Sequence, residues 1–241
     1  MSKPTRFTKG ISTNIVGTLL GDYPLPASIS TGSNGMDVYT YTNDYDDLGS
    51  AASRTITGTS STLAPADGVG GKAILTPGGA STVSTVARTN AGFQFVAGQR
   101  FWYNARLQTS GVGAGVITRF GVQHGNGANT TNDALYFTKV TGAAGGVNLV
   151  STVATVATTL VTGVVASTAA ATDIDVGFYY DGTDLLVFAN DLLVARIASP
   201  TIGASGQTLT NTLLQPFFQI TPVATETLTI DYELIACEVS R

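Results

Sequence analysis

The shortage of glutamate and lysine limits what this chain can fold into more than any other feature of its sequence. Its 241 residues include only three glutamates and four lysines, namely Glu226, Glu233, Glu238, Lys3, Lys9, Lys72 and Lys139. Soluble helices usually carry glutamate and lysine on the side that faces water. Threonine, which is abundant here, suits the surface of a pleated sheet. The sequence therefore predicts an almost entirely β-stranded protein.

The clearest local pattern is a three-stranded meander over residues 173–198. Apolar side chains recur at every second position from Ile174 to Tyr180, which is the spacing of one strand face. The Asp-Gly pair at 181–182 is a typical hairpin turn. The Asn-Asp pair at 190–191 tolerates positive φ and predicts the second turn.

The last apolar run, residues 227–240, also alternates. Its pattern predicts one apolar face that contains Leu228, Ile230, Tyr232, Leu234 and Ala236, and a second, mostly polar face, turned to solvent, that contains Thr229, Asp231, Glu233 and Ile235. Roughly a dozen such runs follow one another along the chain, and we find no convincing helix. The whole pattern is typical of an all-β, antiparallel β-sandwich or jelly roll.

Residues 1–35 differ from the rest of the chain. Pro4, Pro24 and Pro26 oppose both continuous helix and central strand. The segment nevertheless has more large apolar side chains than a disordered tail would carry, at Phe7, Ile11, Ile15, Val16, Leu19, Leu20, Tyr23 and Leu25. We therefore predict an extended N-terminal arm, 1–35, that packs on its own domain or on a neighbour, and a sandwich domain, 36–241.

Charge and composition argue against several functions. The net charge is −4 and the arginines are scattered, so no basic patch is available for nucleic acid. No apolar stretch is long enough to span a membrane, and the N-terminus does not resemble a signal peptide. The single cysteine, Cys237, is expected to be a small buried side chain, which fits synthesis in a reducing cytoplasm.

No residue pattern indicates catalysis. His124 is the only histidine, and it opens a polar loop where we expect it to be solvated. The carboxylates Asp173 and Asp175, like Asp231 and Glu233, are expected to point to solvent without forming the facing pair that a glycosidase needs. The loop glycines precede no helix and so form no phosphate site. We predict no catalytic residue, no cofactor and no enzymatic activity.

The sequence leaves two questions about binding undecided: whether an acidic segment binds Ca²⁺, and whether Trp102 contacts a sugar. Asp44, Asp46 and Asp47 concentrate oxygen ligands of the kind that Ca²⁺ binds, but their spacing matches no calcium loop, and an acidic turn explains them equally simply. We therefore assign no metal site. Trp102 is expected to pack in the interior or in an interface, and a role in stacking on a sugar ring is the alternative.

Two parts of the chain resemble known families. Residues 173–198, together with PFFQI at 216–220 and TLTIDY at 227–232, resemble the C-terminal half of concanavalin A-like (laminin-G-like) jelly rolls. The opening RFTKGISTNIVGTLLGDYPLP and the YTNDYD segment at 41–46 resemble virion proteins of tailed bacteriophages, some of which are thought to decorate capsids.

The second resemblance implies a capsid decoration (cement) protein on the outer surface of the virion. Such a protein would bind the major capsid protein through the arm, stabilise the shell and form a homotrimer after synthesis in the bacterial cytoplasm. The alternative is a carbohydrate- or receptor-binding virion module, such as a head fibre or a tail-associated adhesin, so a glycan remains a possible partner.

Overall fold

The computed structural model describes residues 36–43, 45, 53–66, 71–111, 114–125, 133–139, 146–166 and 170–240. The predicted arm, 1–35, lies outside these residues, and so do its eight apolar docking residues from Phe7 to Leu25. Asp44, Asp46 and Asp47, the residues of the possible calcium site, are outside them too. Both proposals stay predictions.

The described residues form strands and connecting turns, and contain no α-helix. The strands in chain order are β1 (Met36–Asn43), β2 (Arg54–Thr57), β3 (Thr62–Ala66), β4 (Lys72–Thr76), β5 (Ser84–Arg88), β6 (Phe101–Thr109), β7 (Ile117–Gln123), β8 (Ala134–Lys139), β9 (Val147–Val153), β10 (Val156–Val165), β11 (Ile174–Tyr180), β12 (Leu185–Ala189), β13 (Leu192–Ile197), β14 (Ile202–Gly203), β15 (Leu209–Thr210), β16 (Gln215–Thr221) and β17 (Leu228–Ser240). The sequence predicts fewer strands because β2, β3, β14 and β15 are too short to show a clear alternation.

Two large antiparallel sheets contain nearly all of these strands. Sheet I has the order β13-β12-β11-β6-β17-β4-β3, and β1 also pairs with β17. Sheet II has the order β10-β9-β8-β7-β16-β5-β2. The short strands β14 and β15 form a separate parallel pair. The predicted antiparallel β-sandwich is confirmed.

The core lies between the two sheets and is rich in aromatic rings. Phe178 of sheet I lies 6.0 Å from Phe137 of sheet II, measured between ring centroids. Phe101 stacks on Phe178 at 6.0 Å and on Phe95 at 4.2 Å. Aromatic pairs at such spacings contribute stabilisation beyond the area that they bury. This layer holds the two sheets together, and because side chains alternate along a strand, the other residues of each strand point outward.

The predicted meander is confirmed as β11, β12 and β13. Asn190 and Asp191, the predicted second turn, adopt φ values of 50° and 63°. The preceding hairpin, which joins β9 to β10, turns at Ala154 and Thr155, which also have positive φ. Neither alanine nor threonine is a typical turn residue, so the sequence does not mark this turn.

The last strand contradicts the predicted alternation. Ile230 pairs with Leu107, whereas Tyr232 pairs with the adjacent residue Arg106, so Asp231 forms a β-bulge. One extra residue turns every following side chain to the opposite face. Glu233, predicted to face solvent, therefore points into the sandwich and is only 4% exposed, while Leu234 leaves the core.

Among the described residues, no helix is long and apolar enough to cross a membrane. The described part of the chain likewise contains no group of three or more histidine, cysteine, aspartate or glutamate side chains placed to hold a metal ion.

Candidate functional site

Strand β6 lies between β11 and β17 in sheet I, and its register brings polar side chains together on the outer face. Arg106 pairs with Asp175 of β11 on one side and with Tyr232 of β17 on the other. Polar side chains at neighbouring positions on the same three strands lie next to these three residues. We call the group the Asp175 cluster; it consists of Asn104, Arg106, Gln108, Asp173, Asp175, Asp231 and Tyr232.

Tyr232 connects two strands within the cluster. Its hydroxyl lies 3.1 Å from Asn104 Oδ1 and 3.1 Å and 3.2 Å from the two carboxylate oxygens of Asp175. The phenol therefore holds the Asp175 side chain against the sheet. This contact exists only because the bulge at Asp231 turns Tyr232 outward.

Arg106 is the cationic centre of the cluster. Its guanidinium forms an ion pair with Asp173, which also accepts a hydrogen bond from the Gln108 amide. Arg106 Nε lies 3.5 Å from Asp231 Oδ2, close enough for an ion pair but without hydrogen-bond geometry. Among the described residues this buried N–H has no hydrogen-bond partner, which is unusual for a buried donor.

Burial raises the pKa of the Asp175 carboxyl to about 6, and the hydrogen bond from Tyr232 partly opposes this effect. Burial also raises the pKa of Tyr232, and the negative charge of Asp175 adds to the effect. Asp175 therefore exchanges its proton near pH 6, while the phenol of Tyr232 stays neutral and can donate. Raised pKa values of this kind are common at functional sites.

The cluster is partly open to solvent. The side chains of Arg106 and Asp173 are 40% and 32% exposed, whereas that of Asp231 is 9% exposed. A ligand can therefore reach the guanidinium of Arg106 and the carboxylate of Asp173 from outside, whereas Asn104, Asp231 and Tyr232 are buried. Such a set of donors and acceptors can bind hydroxyl groups, and its carboxyls can transfer protons.

The other half of the same face is apolar and buried. We call it the Trp102 cluster; it consists of Trp102, Tyr179, Leu186, Phe188, Leu234 and Ala236. Trp102 stacks on Tyr179 with 5.4 Å between ring centroids. Only 1% of Trp102 is exposed, so its ring is packed, as the sequence predicts, and is not presented to a sugar.

Gly177 lies between the two halves of this face. A Cβ at this position would approach the Tyr103 carbonyl oxygen to 2.6 Å and the Asn104 side chain to 3.3 Å. The absence of a side chain therefore leaves room for Asn104, and through it for the Tyr232 contact.

A second group of polar side chains lies inside the sandwich around Glu233. Burial raises the pKa of Glu233 to about 8, although the charges of Arg54 and Arg88 oppose the shift. Within the part of the chain that the structure describes, Glu233 Oε1 and the hydroxyl of the fully buried Tyr103 have no hydrogen-bond partner. Burial also raises the pKa of the Tyr103 phenol, and the negative charge of Glu233 adds to this effect.

His124 and Cys237 lie in the surroundings that the sequence predicts. His124 is exposed, and its Nδ1 lies 3.0 Å from the carbonyl oxygen of Leu213. Cys237 is buried and free, and burial raises the pKa of its thiol to about 11.

The carboxylates depart most from prediction. Asp173, Asp175 and Asp231 were expected to face solvent separately, but Asp173 and Asp231 share the guanidinium of Arg106, and Asp175 is attached through Tyr232. The alternation of β11 indicates correctly that Asp173 and Asp175 share a face. The sequence does not indicate that β11 and β17 both pair with β6, because that depends on the order of the strands in the sheet.

Comparison with known proteins supports the fold. No protein-family model matches the chain, and no curated protein sequence matches it. Solved structures do match, and their folds are concanavalin A-like jelly rolls, which confirms this part of the predicted resemblance.

Three of these structures show which kinds of protein share the fold and how similar they are to this chain. A Bacillus licheniformis β-glucanase has a TM-score of 0.56 at 8% identity, over 81% of this chain and 97% of that one. The endo-1,3-β-glucanase of Streptomyces sioyaensis has a TM-score of 0.55 at 13% identity, over 89% and 99%. The exoplasmic/lumenal domain of VIP36, in a Ca²⁺- and mannose-bound form, has a TM-score of 0.57 at 11% identity, over 84% and 89%.

These similarities contradict the prediction that the chain has no enzymatic activity. Glycoside hydrolases are prominent among the proteins that share its fold. The prediction relied on carboxylates that were thought to lie apart, and that premise is wrong because three of them meet around Arg106 and Tyr232. The comparisons provide no evidence for a place on a phage capsid.

Proposed function

We propose that this chain binds a neutral carbohydrate at the Asp175 cluster. The observation that carries the proposal is the partly exposed guanidinium of Arg106, which lies among carboxylate, amide and phenol side chains. Sugar hydroxyls both donate and accept, so they match such a mixed set. The mannose-bound VIP36 domain and the β-glucanases support the proposal, since their similar sandwiches act on or bind carbohydrate.

The charges of the cluster favour a neutral sugar over an acidic one. Asp173 and Asp231 already lie beside the single guanidinium of Arg106, and Asp175 adds a further negative charge above pH 6. A uronic or sialic acid would add another carboxylate to this group, which is unfavourable in a partly buried site.

Replacing Arg106 with alanine is expected to weaken carbohydrate binding at least tenfold. A hydrogen bond to a charged group contributes about 1.5 to 3 kcal/mol, and 1.4 kcal/mol corresponds to about a factor of ten in affinity. Isothermal titration calorimetry with β-1,3-glucan oligosaccharides and mannose oligosaccharides measures the effect. Arg196→Ala is the matched control, because Arg196 also pairs with an aspartate, Asp184, in sheet I but outside the cluster.

The proposal fails if the unmodified chain binds none of these sugars, or if Arg106→Ala and Arg196→Ala weaken binding equally. Circular dichroism of both variants establishes that the sandwich has folded in each case.

Glycoside hydrolysis is a second candidate function, favoured by the raised pKa of Asp175 beside two further carboxylates. A retaining or inverting hydrolase needs one protonated acid and one ionised carboxylate. Hydrolysis of β-1,3-glucan is therefore expected to fall as the pH rises above about 6, where Asp175 loses its proton. Asp175→Asn should lower the rate by a factor of about 10² to 10⁴.

Reducing-end assays across pH 4 to 8 test this second function. A rate that is unchanged in Asp175→Asn, or that rises steadily above pH 6, would assign the acid to another residue.

Placement on a virion, with the major capsid protein as partner and a homotrimer as assembly, remains a proposal that rests on the resemblance of residues 1–46. Exposed apolar side chains on the edge strand β13, among them Leu192 and Leu193, are compatible with a protein partner. The position of the chain in a density map of an intact particle tests this proposal.

A further inference from the structure

Two arginines lie side by side at the edge of sheet II. Arg54 of β2 and Arg88 of β5 are direct partners in the register, so their side chains leave the same face of the sheet. This is the inner face, because Val86, two residues before Arg88, belongs to the core. Like charges that face each other across a strand pair repel, so the arrangement is unfavourable unless something compensates for it.

Aromatic rings hold the two guanidinium groups in place without neutralising them. Arg54 Cζ lies 4.8 Å from the ring centroid of Tyr45, and Arg88 Cζ lies 5.0 Å from that of Tyr41. Arg88 Nη2 also donates a hydrogen bond of 2.7 Å to the Tyr39 hydroxyl. Neither arginine forms an ion pair with a described carboxylate, and Nη1 of each is buried without a hydrogen-bond partner in the same set of residues. Two charged donors are therefore left without an acceptor, which is rare in a folded protein.

Glu233 and Tyr103 extend this polar group across the interior. Tyr103 of β6 pairs with Ile235 of β17, two residues from Glu233, so the two polar side chains are diagonal neighbours on the inner face of sheet I. Glu233 is 4% exposed and Tyr103 is fully buried. Because burial raises the pKa of Glu233 to about 8 against the charges of Arg54 and Arg88, its carboxyl is protonated at pH 7 and can donate a hydrogen bond.

We propose that a small tetrahedral oxyanion, such as sulfate or phosphate, binds between Arg54 and Arg88 inside this edge of the sandwich. Oxyanions match the planar fork of a guanidinium, and one anion can accept hydrogen bonds from both Nη1 groups and neutralise the repelling charges. Because β2 is the last strand of sheet II and both arginines are partly exposed, an ion can enter from the edge. The buried Nη1 atoms suit a free inorganic ion better than a phosphate attached to a macromolecule. This site is separate from the Asp175 cluster, which lies on the outer face of sheet I.

Isothermal titration calorimetry with sodium sulfate at pH 7 tests the proposal, and sodium chloride at equal ionic strength provides the reference anion. We expect saturable binding of one sulfate per chain. Arg54→Lys and Arg88→Lys each keep the positive charge but lose the fork, so each should weaken binding about tenfold. Arg196→Lys is the matched control, because Arg196 pairs with Asp184 in sheet I and its replacement should leave sulfate binding unchanged.

The pH dependence of binding gives a second test, since sulfate keeps its charge between pH 7 and pH 9. Glu233 loses its proton near pH 8, and its negative charge then opposes the anion, so the affinity should fall across this range. The pKa values of the surrounding Tyr41, Tyr45 and Tyr103 phenols are raised, so these groups stay neutral, and the arginines stay charged. Glu233→Gln keeps a neutral side chain and should remove the fall in affinity.

The proposal is overturned if the unmodified chain binds no sulfate, or if chloride binds as tightly. It is also overturned if Arg54→Lys and Arg88→Lys, shown by circular dichroism to be folded, bind sulfate as tightly as Arg196→Lys does. A fall in affinity from pH 7 to pH 9 that persists unchanged in Glu233→Gln would place the anion away from this group.

Discussion

Replacing Glu233 with glutamine is expected to raise the free energy of unfolding at pH 8 by roughly 3 to 5 kcal/mol. Glu233 is buried between the sheets, and burial raises its pKa to about 8 from an ordinary value of 4.5. Arg54 and Arg88 oppose this shift without cancelling it. Glutamine keeps the size and a neutral charge, so it removes the cost of the carboxylate.

The direction of the pH dependence follows from the protonation state of Glu233 in the folded and in the unfolded chain. Below pH 4.5 the carboxyl is protonated in the folded and the unfolded chain, so it adds no pH dependence. As the pH rises from 4.5 towards 8, the unfolded chain releases the proton while the folded chain retains it. Stability is therefore lost across this window, and Glu233→Gln should be nearly neutral at pH 4.

Urea unfolding of both proteins at pH 4 and pH 8 measures the difference. Glu226→Gln is a matched control with the opposite sign, because backbone N–H groups of Ala224 and Val223 lower the pKa of Glu226. That variant should be slightly less stable at neutral pH. An equal gain for Glu233→Gln at both pH values would mean that improved packing, and not the removed charge, stabilises the protein.

Replacing Trp102 with alanine is expected to lower the free energy of unfolding by about 3 to 5 kcal/mol. The indole is 1% exposed and stacks on Tyr179, so its removal leaves a cavity in the Trp102 cluster. Leu192→Ala is the control: Leu192 is 69% exposed, and its loss should change stability by less than about 0.5 kcal/mol. Urea unfolding at pH 7 measures both variants.

The same variant separates packing from sugar recognition. If Trp102 packs only, the folded fraction of Trp102→Ala binds carbohydrate as the unmodified chain does. A stability loss below about 1 kcal/mol together with lost sugar binding would instead return Trp102 to the role of a sugar-stacking residue.

Part of the candidate site was accessible from the sequence. The alternation of β11 places Asp173 and Asp175 on one face, and the aromatic run around Trp102 predicts that one ring is packed. Arg106 did not stand out, because a single arginine in an apolar strand has no local pattern that marks it as the centre of a site. Its role comes from β17, which lies more than 120 residues later in the chain.

The scarcity of glutamate and lysine is enough to predict an all-β protein, because a chain that cannot cover helices with charge is left with sheets. Local alternation and turn residues determined the β11–β13 meander, because both act within a few residues. The arrangement of the side chains on the last strand depends on tertiary pairing, through the bulge at Asp231. The extra residue turns Glu233 into the core and Tyr232 towards Asp175, and it is seen only in the pairing of β17 with β6, a strand that lies far away in the sequence.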